Sequence, residues 1–314
     1  MRTTRVRVAA AVAAVAAVLL ATGGPPAAAA DAYPVEYHFA TGFLKGFAAP
    51  GTAPAGADDW SCRPGAAHPD PVVLVHGTLE NMNDYWGGAA PLLANAGYCV
   101  FAFNYGGSSA TSPIQGTGAV AGSAGQLAAF VDRVRRATGA AEVDLVSHSQ
   151  GGLTARYYLK NLGGAAEVSK LVALAPPNHG TTLDGITELG RQLHILSPAD
   201  DFLAGPCQGC VDQEVGSPFL AALNAGGETV PGVEYTVIAT QADEVVTPYS
   251  SAFLPAGPHV VNLTVQDQCP LDATDHLELG YDPVALTDVL NALDPAHPRS
   301  VPCRIVLPIT GPVL

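Results

Sequence analysis

The chain has 314 residues, of which 14 are Lys or Arg and 28 are Asp or Glu, so its formal net charge is -14 at pH 7. An acidic chain with few lysines is a poor ligand for nucleic acid or for an anionic membrane surface, and we expect neither as a partner. About 280 residues follow the N-terminal segment described next, which is enough for one large α/β core.

The first 30 residues have the pattern of a secretory signal. Arginines near the N-terminus precede an apolar run from Val8 to Ala21, and alanines ending at Ala30 offer a cleavage site. The apolar run is too short for a permanent membrane span. Removal of 1–30 would take away three arginines and move the formal net charge to -17. We therefore expect an exported, Sec-dependent protein whose single domain spans 31–314.

The next segments alternate between strand and helix patterns. Residues 31–60 are rich in Ala, Gly and Pro and are expected to form an irregular lead-in. The short apolar run Pro71–Val75 is typical of a strand covered on both faces. The sequence then predicts a helix over Asn83–Ala96 and a strand over Tyr98–Phe103.

The same alternation continues to the C-terminus. Apolar residues on one helical face predict a helix around Leu127–Val134. Further strands are predicted over 143–147, 170–175, 235–240 and 259–265, and further helices over 151–162 and 283–293. Strands that alternate with helices imply a doubly wound, mostly parallel sheet. The proline-rich tail from Asp294 is expected to wrap the domain as an extension.

The stretch from Glu142 to Gly152 has alternating apolar residues that run into a serine followed by small residues. This is the pattern of a strand, a sharp turn and a helix, in which the turn presents Ser149 as a nucleophile. The usual motif is G-x-S-x-G, and Ser147 stands in place of the first glycine. A serine-rich loop between two core elements is the alternative interpretation.

A serine hydroxyl needs a base to take its proton and an acid to hold that base. In this setting the order along the chain is serine, acid, histidine. Among the histidines downstream of the sheet's second half, His259 opens a strand and His297 lies in the proline-rich tail. His276 lies in a loop just after the strand that ends near Val265, so we expect it to be the base.

The acid is expected after the preceding strand, where Asp243 follows residues 235–240. Glu244 is its immediate competitor. Asp275 adjoins His276, but adjacent side chains usually point apart, so Asp275 is expected to be a turn or helix-cap residue. A structural acid at the end of a strand is the alternative role for Asp243.

Negative charge that develops on a substrate oxygen must be met by hydrogen-bond donors. One expected donor is the backbone N–H of Gln150, at a helix N-terminus. The other is Thr78, through its N–H and its hydroxyl, in the loop after the first core strand. His76 lies in the same loop and is expected to shape the turn rather than act as a second base.

The segment 180–227 is too long for a simple connection. Ile186, Leu189, Leu193 and Leu196 recur at three-and-four spacing and predict an amphipathic helix of about three turns. Our interpretation is a cap over the active site, with this apolar stripe lining a substrate pocket. A core-facing helix would explain the same spacing.

Six cysteines in an exported protein indicate disulfides rather than metal ligands. Cys207 and Cys210 lack a second pair, or a histidine pair, at zinc-ligand spacing. Six cysteines allow fifteen pairings. The simplest guess joins them in sequence order, as Cys62–Cys99, Cys207–Cys210 and Cys269–Cys303.

Four segments in this order resemble the secreted bacterial lipases of the α/β-hydrolase superfamily, and the likeness extends to lipases of the Candida antarctica B type. The segments are Val75–Thr78, Ser147–Gly152, Ala173–Thr181 and the loop that holds Asp243. The resemblance covers roughly 60–305. It implies an α/β-hydrolase fold, a mostly parallel central sheet flanked by helices, with a cap or lid inserted at about 180–227 of the catalytic domain.

The resemblance also implies functional roles for individual residues. Ser149, Asp243 and His276 would form the triad, and Thr78 and Gln150 would be the oxyanion donors. The pairs Cys62–Cys99 and Cys269–Cys303 gain support from it. The chain departs from the pattern at Ser147 and in the extra cap pair Cys207–Cys210, which bears on the shape and mobility of the lid.

The activity implied is that of a monomeric triacylglycerol lipase or carboxylesterase that cleaves lipophilic esters through an acyl-enzyme, in some cases at a lipid–water interface. No metal or cofactor is required. A polyester or cutin hydrolase would need a shallow groove, against which the length of 180–227 argues. An acyltransferase is a second alternative. A non-catalytic secreted binding protein is a third, and it is disfavoured because all five catalytic positions carry suitable residues.

Overall fold

A six-stranded sheet lies at the centre of the computed structural model, which describes residues 32–196 and 206–313. Its strands are β1 (Val72–Val75), β2 (Val100–Ala102), β3 (Val143–His148), β4 (Val168–Leu174), β5 (Glu234–Ala239) and β6 (Val260–Thr264). They lie in the order β2-β1-β3-β4-β5-β6, and all five pairings are parallel. The mostly parallel sheet expected from the sequence is confirmed.

Ten α-helices occur in the described parts of the chain and flank this sheet. They are α1 (Phe39–Phe47), α2 (Met82–Tyr85), α3 (Ala89–Asn95), α4 (Val120–Thr138), α5 (Gln150–Asn161), α6 (Leu183–Leu196), α7 (Gln208–Asp212), α8 (Pro218–Asn224), α9 (Val265–Gln268) and α10 (Pro283–Leu293). The expected signal segment 1–30 lies outside the described residues, and so does 197–205 of the expected cap.

The inner strand β1 is apolar because both of its faces are buried. All four residues of β1 are fully buried, because helices and loops cover both faces of a parallel sheet. On α4, the buried residues Leu127, Val131 and Val134 recur at helical spacing and join the main hydrophobic core. The helix then ends at Gly139, whose φ of 79° is the left-handed conformation that glycine adopts without strain.

The prediction of a single helix over Asn83–Ala96 is wrong, because the segment forms the two short helices α2 and α3. The break falls at Gly87 and Gly88. A Cβ at Gly88 would lie 2.8 Å from the carbonyl oxygens of Glu36 and Gly280, so the chain here needs glycine for close backbone approach. Contact with distant segments, not local helix propensity, therefore decides where α2 ends.

The lead-in 31–60 also contains a helix that composition did not reveal. Phe39 and Phe43 of α1 are fully buried and in ring contact with each other, and Phe39 also packs against the rings of Tyr85 and Tyr281. The irregular lead-in expected here is therefore wrong over Phe39–Phe47. Phe39, Phe43 and Phe47 recur every four residues, and this aromatic spacing is the signal that would have indicated α1.

Three disulfides join Cys62 to Cys99, Cys207 to Cys210 and Cys269 to Cys303. The last of these holds the C-terminal tail, where Val306–Leu307 and Gly311–Pro312 form the antiparallel hairpin β7–β8, against the end of α9. Within the described ranges, no helix combines the length and apolar character needed to cross a membrane.

Candidate active site

Ser149 lies at the sharp turn between β3 and α5. Its φ of 49° and ψ of -125° place a non-glycine residue in a strained backbone conformation. Small neighbours make the turn possible, since a Cβ at Gly151 would lie 2.3 Å from the carbonyl oxygen of Val75. Ser147 pairs with Val75 within the sheet and is fully buried, so serine fits where the usual motif has glycine. The geometry is that of a nucleophile elbow.

The sheet register brings the candidate residues to one edge. Val75 at the end of β1 lies opposite Ser147 in β3, so Thr78 and Ser149 both follow the carboxyl ends of neighbouring strands. The chain passes from β1 to the outer strand β2 and then returns to β3, so the sheet reverses its winding between β1 and β3. Ligand sites on such sheets lie at this reversal.

His276 and Asp243 form a buried hydrogen-bonded pair. Nδ1 of His276 lies 3.0 Å from Oδ2 of Asp243, and both side chains are at most 1% exposed. Oδ1 of Asp243 accepts hydrogen bonds from the N–H groups of Val245 and Val246, at 2.9 and 2.7 Å. The carboxylate is therefore fixed in orientation, and it fixes the imidazole in turn.

The other ring nitrogen of His276, Nε2, is buried and has no hydrogen-bond partner among the described residues. Burial by itself lowers the pKa of His276, because it disfavours the charged imidazolium. The charge and hydrogen bond of Asp243 outweigh burial, with a further contribution from Glu244, and raise the pKa to about 9. The ring therefore has the basicity to accept a proton at Nε2.

His276 also contacts the serine turn itself. The ring of His148, the residue before Ser149, lies 4.7 Å from the ring of His276, centroid to centroid. Nε2 of His148 lies 3.0 Å from the main-chain oxygen of His276. The loop that carries His276 is thus packed directly against the turn that carries Ser149.

The two acids that compete with Asp243 have other partners. Glu244 accepts a 2.8 Å hydrogen bond from Gln192 of α6, and burial raises its pKa to about 7. Asp275 accepts a 2.8 Å hydrogen bond from the N–H of Glu278 and so caps a short turn. In the described parts of the chain, Asp243 is the one carboxylate that hydrogen-bonds to the imidazole of His276.

The two histidines set aside in the sequence lie elsewhere on the fold. His259 is exposed and pairs with Glu234 on β5 at 2.7 Å. His297 is exposed in the tail and pairs with Asp294 at 3.0 Å. Their surface positions, each beside its own acid, give them no part in the buried site.

Thr78 is held from two sides. Its Oγ1 accepts hydrogen bonds from the side-chain amides of Gln150 and Gln213, each at 2.9 Å. Because a hydroxyl oxygen has two acceptor positions, both are occupied and its own proton is left for another acceptor. Gln213 follows α7 in the expected cap, 135 residues from Thr78, and no local pattern in the sequence marks it.

His76 shapes the loop that carries Thr78. Its Nδ1 lies 2.8 Å from the carbonyl oxygen of Gly77, and its ring stacks on that of Tyr105. Burial lowers the pKa of His76 to about 4, so the ring is neutral. This is the turn-shaping role expected for it.

The described parts of 180–227 contact the candidate site at two points. On one side, Gln192 of α6 bonds to Glu244, the residue after Asp243. On the other side, Gly209 of α7 lies so close to the side chain of Gln150 that a Cβ there would be 2.5 Å from its Nε2. Ser149 is only 2% exposed.

The helix predicted from the three-and-four spacing is confirmed as α6. Its Leu189 and Leu193 are buried in the main hydrophobic core, as a core-facing helix requires. The alternative interpretation, a core-facing helix, therefore accounts for these apolar residues of α6, and no substrate pocket is needed to explain them. The side chain of Leu196 lies outside the described residues.

Two further buried polar residues, Glu80 and His148, lie next to the loops of the candidate site, and the sequence did not predict their contact. Nδ1 of His148 lies 2.9 Å from Oε1 of Glu80. In the described parts of the chain, His, Cys, Asp and Glu side chains do not cluster in a way that could hold a metal ion.

Comparisons with known proteins agree with this arrangement. A family model described as lipase (class 2) matches residues 69–285, which is more than half of the chain. Triacylglycerol lipases from Pseudarthrobacter phenanthrenivorans and Burkholderia plantarii are each 38% identical over 120 residues, 35% of this chain. These alignments span 34% and 30% of the two relatives, so the chain matches about a third of their length.

Among solved structures, Aspergillus fumigatus lipase B superimposes with a TM-score of 0.57 at 22% identity, over 80% of this chain and 56% of that chain. At this level of identity the likeness concerns the fold alone. The α/β-hydrolase fold expected from the sequence is thereby confirmed.

Proposed function

The chain belongs to the class 2 lipase family, and from that premise we propose that it is a secreted serine ester hydrolase that cleaves triacylglycerols or other lipophilic esters through an acyl-enzyme. The observation that carries this proposal is the buried Asp243–His276 pair, whose free Nε2 belongs to a ring packed against the strained turn of Ser149.

In the proposed reaction, the hydroxyl oxygen of Ser149 attacks the acyl carbonyl carbon while Nε2 of His276 takes the hydroxyl proton. The tetrahedral oxyanion is met by the N–H groups of Gln150 and Thr78 and by the hydroxyl proton of Thr78. His276 then returns the proton to the leaving alcohol. Water, activated by the same ring, hydrolyses the acyl-enzyme and regenerates the serine.

The burial of Ser149 bears on the kind of substrate. A nucleophile that is 2% exposed, with α6 bonded to Glu244 and α7 close to Gln150, suits an ester that enters once these segments are displaced. A polyester or cutin chain requires an open groove, so it fits this arrangement less well. We therefore propose that 180–227 acts as a cap, within a catalytic domain that spans 31–314.

Export is part of the same proposal. The arginine-led apolar segment at the N-terminus and three disulfides are both typical of a protein made for an oxidising compartment. We propose that the protein is secreted through the Sec route and acts as a monomer without a cofactor.

The proposal is tested with the purified protein on nitrophenyl esters from acetate to palmitate and on emulsified triglyceride. Ser149→Ala should abolish turnover, whereas Ser147→Ala, two positions away in the same motif, should retain it. Long-chain and triglyceride turnover would establish a lipase, and turnover of short esters alone would establish a carboxylesterase. No turnover of any ester would contradict the proposal and favour a binding protein on this scaffold.

A further inference from the structure

Glu80 and His148 form a second carboxyl–imidazole pair, buried beneath the candidate site. The two side chains are 1% and 0% exposed. Nδ1 of His148 lies 2.9 Å from Oε1 and 3.1 Å from Oε2 of Glu80. The ring of His148 is also stacked on that of Tyr85, 3.9 Å away, which restricts its rotation. The reaction proposed above does not use this pair, so its presence requires another explanation.

The pair connects three loops that carry candidate catalytic groups. Oε2 of Glu80 accepts a 2.6 Å hydrogen bond from the N–H of Gly77, the residue before Thr78. His148 directly precedes Ser149, and its Nε2 lies 3.0 Å from the main-chain oxygen of His276. One chain of hydrogen bonds therefore runs from the oxyanion loop through the serine turn to the base loop.

The contacts of His148 determine how many protons the pair holds. A carbonyl oxygen only accepts, so Nε2 must carry a proton toward His276. If Glu80 is ionised it also only accepts, and Nδ1 must then carry a second proton. If His148 is neutral, the carboxyl group of Glu80 must carry that proton instead and donate it to Nδ1. In both forms the pair has one shared proton and no net charge.

The remaining possibility, an ionised Glu80 beside a neutral His148, places a nitrogen lone pair against a carboxylate. Both groups are buried, so no solvent would relieve that repulsion. Burial lowers the pKa of His148, with Glu80 opposing the effect, so a charged His148 needs the Glu80 carboxylate beside it. Pairing by a shared proton satisfies both groups.

The other titratable groups around Glu80 leave this account intact. Those that face it are His76, Asp84, Tyr85, Tyr105, Tyr281 and His276. Burial favours the uncharged form of the first five, because it lowers the pKa of His76 and raises the pKa values of Asp84 and the tyrosines. His276 is charged when protonated, but it has Asp243 as its own partner.

We propose that Glu80 and His148 share one proton as a net-neutral pair that positions the loops of His276 and Thr78, and that neither residue transfers a proton in the reaction. The positioning role rests on the proposed function. The proton count does not, because it follows from the hydrogen-bond contacts and the burial of the pair.

Two substitutions of Glu80 separate its hydrogen bonds from its charge. In Glu80→Gln, the amide oxygen can accept from Gly77 and the amide NH₂ can donate to Nδ1 of His148, so contacts and neutrality are both kept. In Glu80→Leu, both contacts are lost. We expect kcat to stay within about 3-fold in the first variant and to fall roughly 10- to 100-fold in the second, with KM little changed in either.

The pH dependence of kcat/KM provides a second measurement. An ionised Glu80 beside a neutral His148 would help to raise the pKa of His276, and Glu80→Gln would then move the ascending limb to lower pH. A net-neutral pair predicts the same limb in Glu80→Gln as in the wild type. A downward shift of half a unit or more would overturn the shared proton, and full kcat in Glu80→Leu would overturn the positioning role.

Rates are expressed per active site, counted by titration with a phosphonate ester, so that a misfolded fraction does not lower kcat. Imidazole titration by NMR in Ser149→Ala, with and without Glu80→Gln, measures the pKa of His276 without turnover. If the wild type hydrolyses no ester, the proposed function fails. The NMR result then still decides the proton count: equal pKa values in the two proteins support it, and a lower pKa in the protein that carries Glu80→Gln overturns it.

Discussion

Nδ1 of His276 lies 3.0 Å from Oδ2 of Asp243, and the second oxygen of that carboxylate accepts two backbone N–H groups. Asp243 can therefore present only one oxygen to the ring. This fixes the imidazole with its Nδ1–H toward Asp243 and leaves Nε2 without a hydrogen-bond partner among the described residues. Substitutions that keep the shape but change the protonation should thus affect the reaction strongly.

Asp243→Asn should lower kcat by roughly 10⁴-fold, because an amide at this position favours the wrong imidazole tautomer. Steady-state kinetics on a nitrophenyl ester would measure the loss. Asp275→Asn is the matched control, since Asp275 adjoins His276 but caps a turn, and it should cost little activity. A large loss in the control with a small loss in Asp243→Asn would show that the acid is misassigned.

Thr78→Val should lower kcat by up to about 10²-fold if the hydroxyl proton meets the oxyanion. Gln213→Leu should cause a smaller loss, because Gln213 acts through the orientation of Thr78. A double-mutant cycle checks this: Gln213→Leu should cost nothing further in the Thr78→Val background.

Gln208→Leu is the control for that cycle, since Gln208 belongs to the same cap segment but bonds to Asp212. Fully additive losses of Gln213→Leu and Thr78→Val would mean that Gln213 acts by another route.

The ascending limb of kcat/KM against pH should lie in the alkaline range. The reaction needs His276 unprotonated, and its pKa is raised to about 9, so activity should increase with pH and level off above that value. Glu244→Gln removes a negative charge near the ring and should move the limb to lower pH. A limb near 6.5 in the wild type, unmoved in the variant, would contradict this electrostatic account.

Removal of the Cys62–Cys99 disulfide, by substitution of both residues with Ser, should lower the free energy of unfolding by about 2–5 kcal/mol. The Cys62–Cys99 bond joins residues that are 37 positions apart in the sequence, whereas Cys207–Cys210 joins residues only 3 positions apart. Because a longer loop loses more chain entropy when closed, removal of the short one should cost about half as much. Denaturant unfolding of both double variants measures the difference, and equal losses would contradict the loop-length argument.

The parts of the fold that the sequence predicts are those encoded locally. A continuous apolar run predicts β1, alternating apolar residues predict β3, and the small residues around Ser149 predict the turn, because packing constraints there act between neighbours in the chain. The order of Asp243 and His276 after their strands predicts that they meet, since parallel strands end at one edge of the sheet.

What the sequence did not predict depends on contacts between distant segments. The amide of Gln213 reaches Thr78 across 135 positions, and Glu80 reaches His148 across 68. Neither pair has a motif, because the fold and not the spacing brings the side chains together. The break at Gly88 has the same origin, since the backbone that crowds it belongs to Glu36 and Gly280.

The strained backbone at Ser149 lowers the stability of the fold at the position where the reaction needs a serine. Its φ of 49° is a conformation that glycine adopts freely and serine only under strain. Replacement of the serine by glycine would relieve that strain while removing the hydroxyl, and so would trade function for a more stable fold. A library of variants screened for heat resistance alone would therefore enrich inactive proteins at this position, and any such screen needs a parallel selection for turnover.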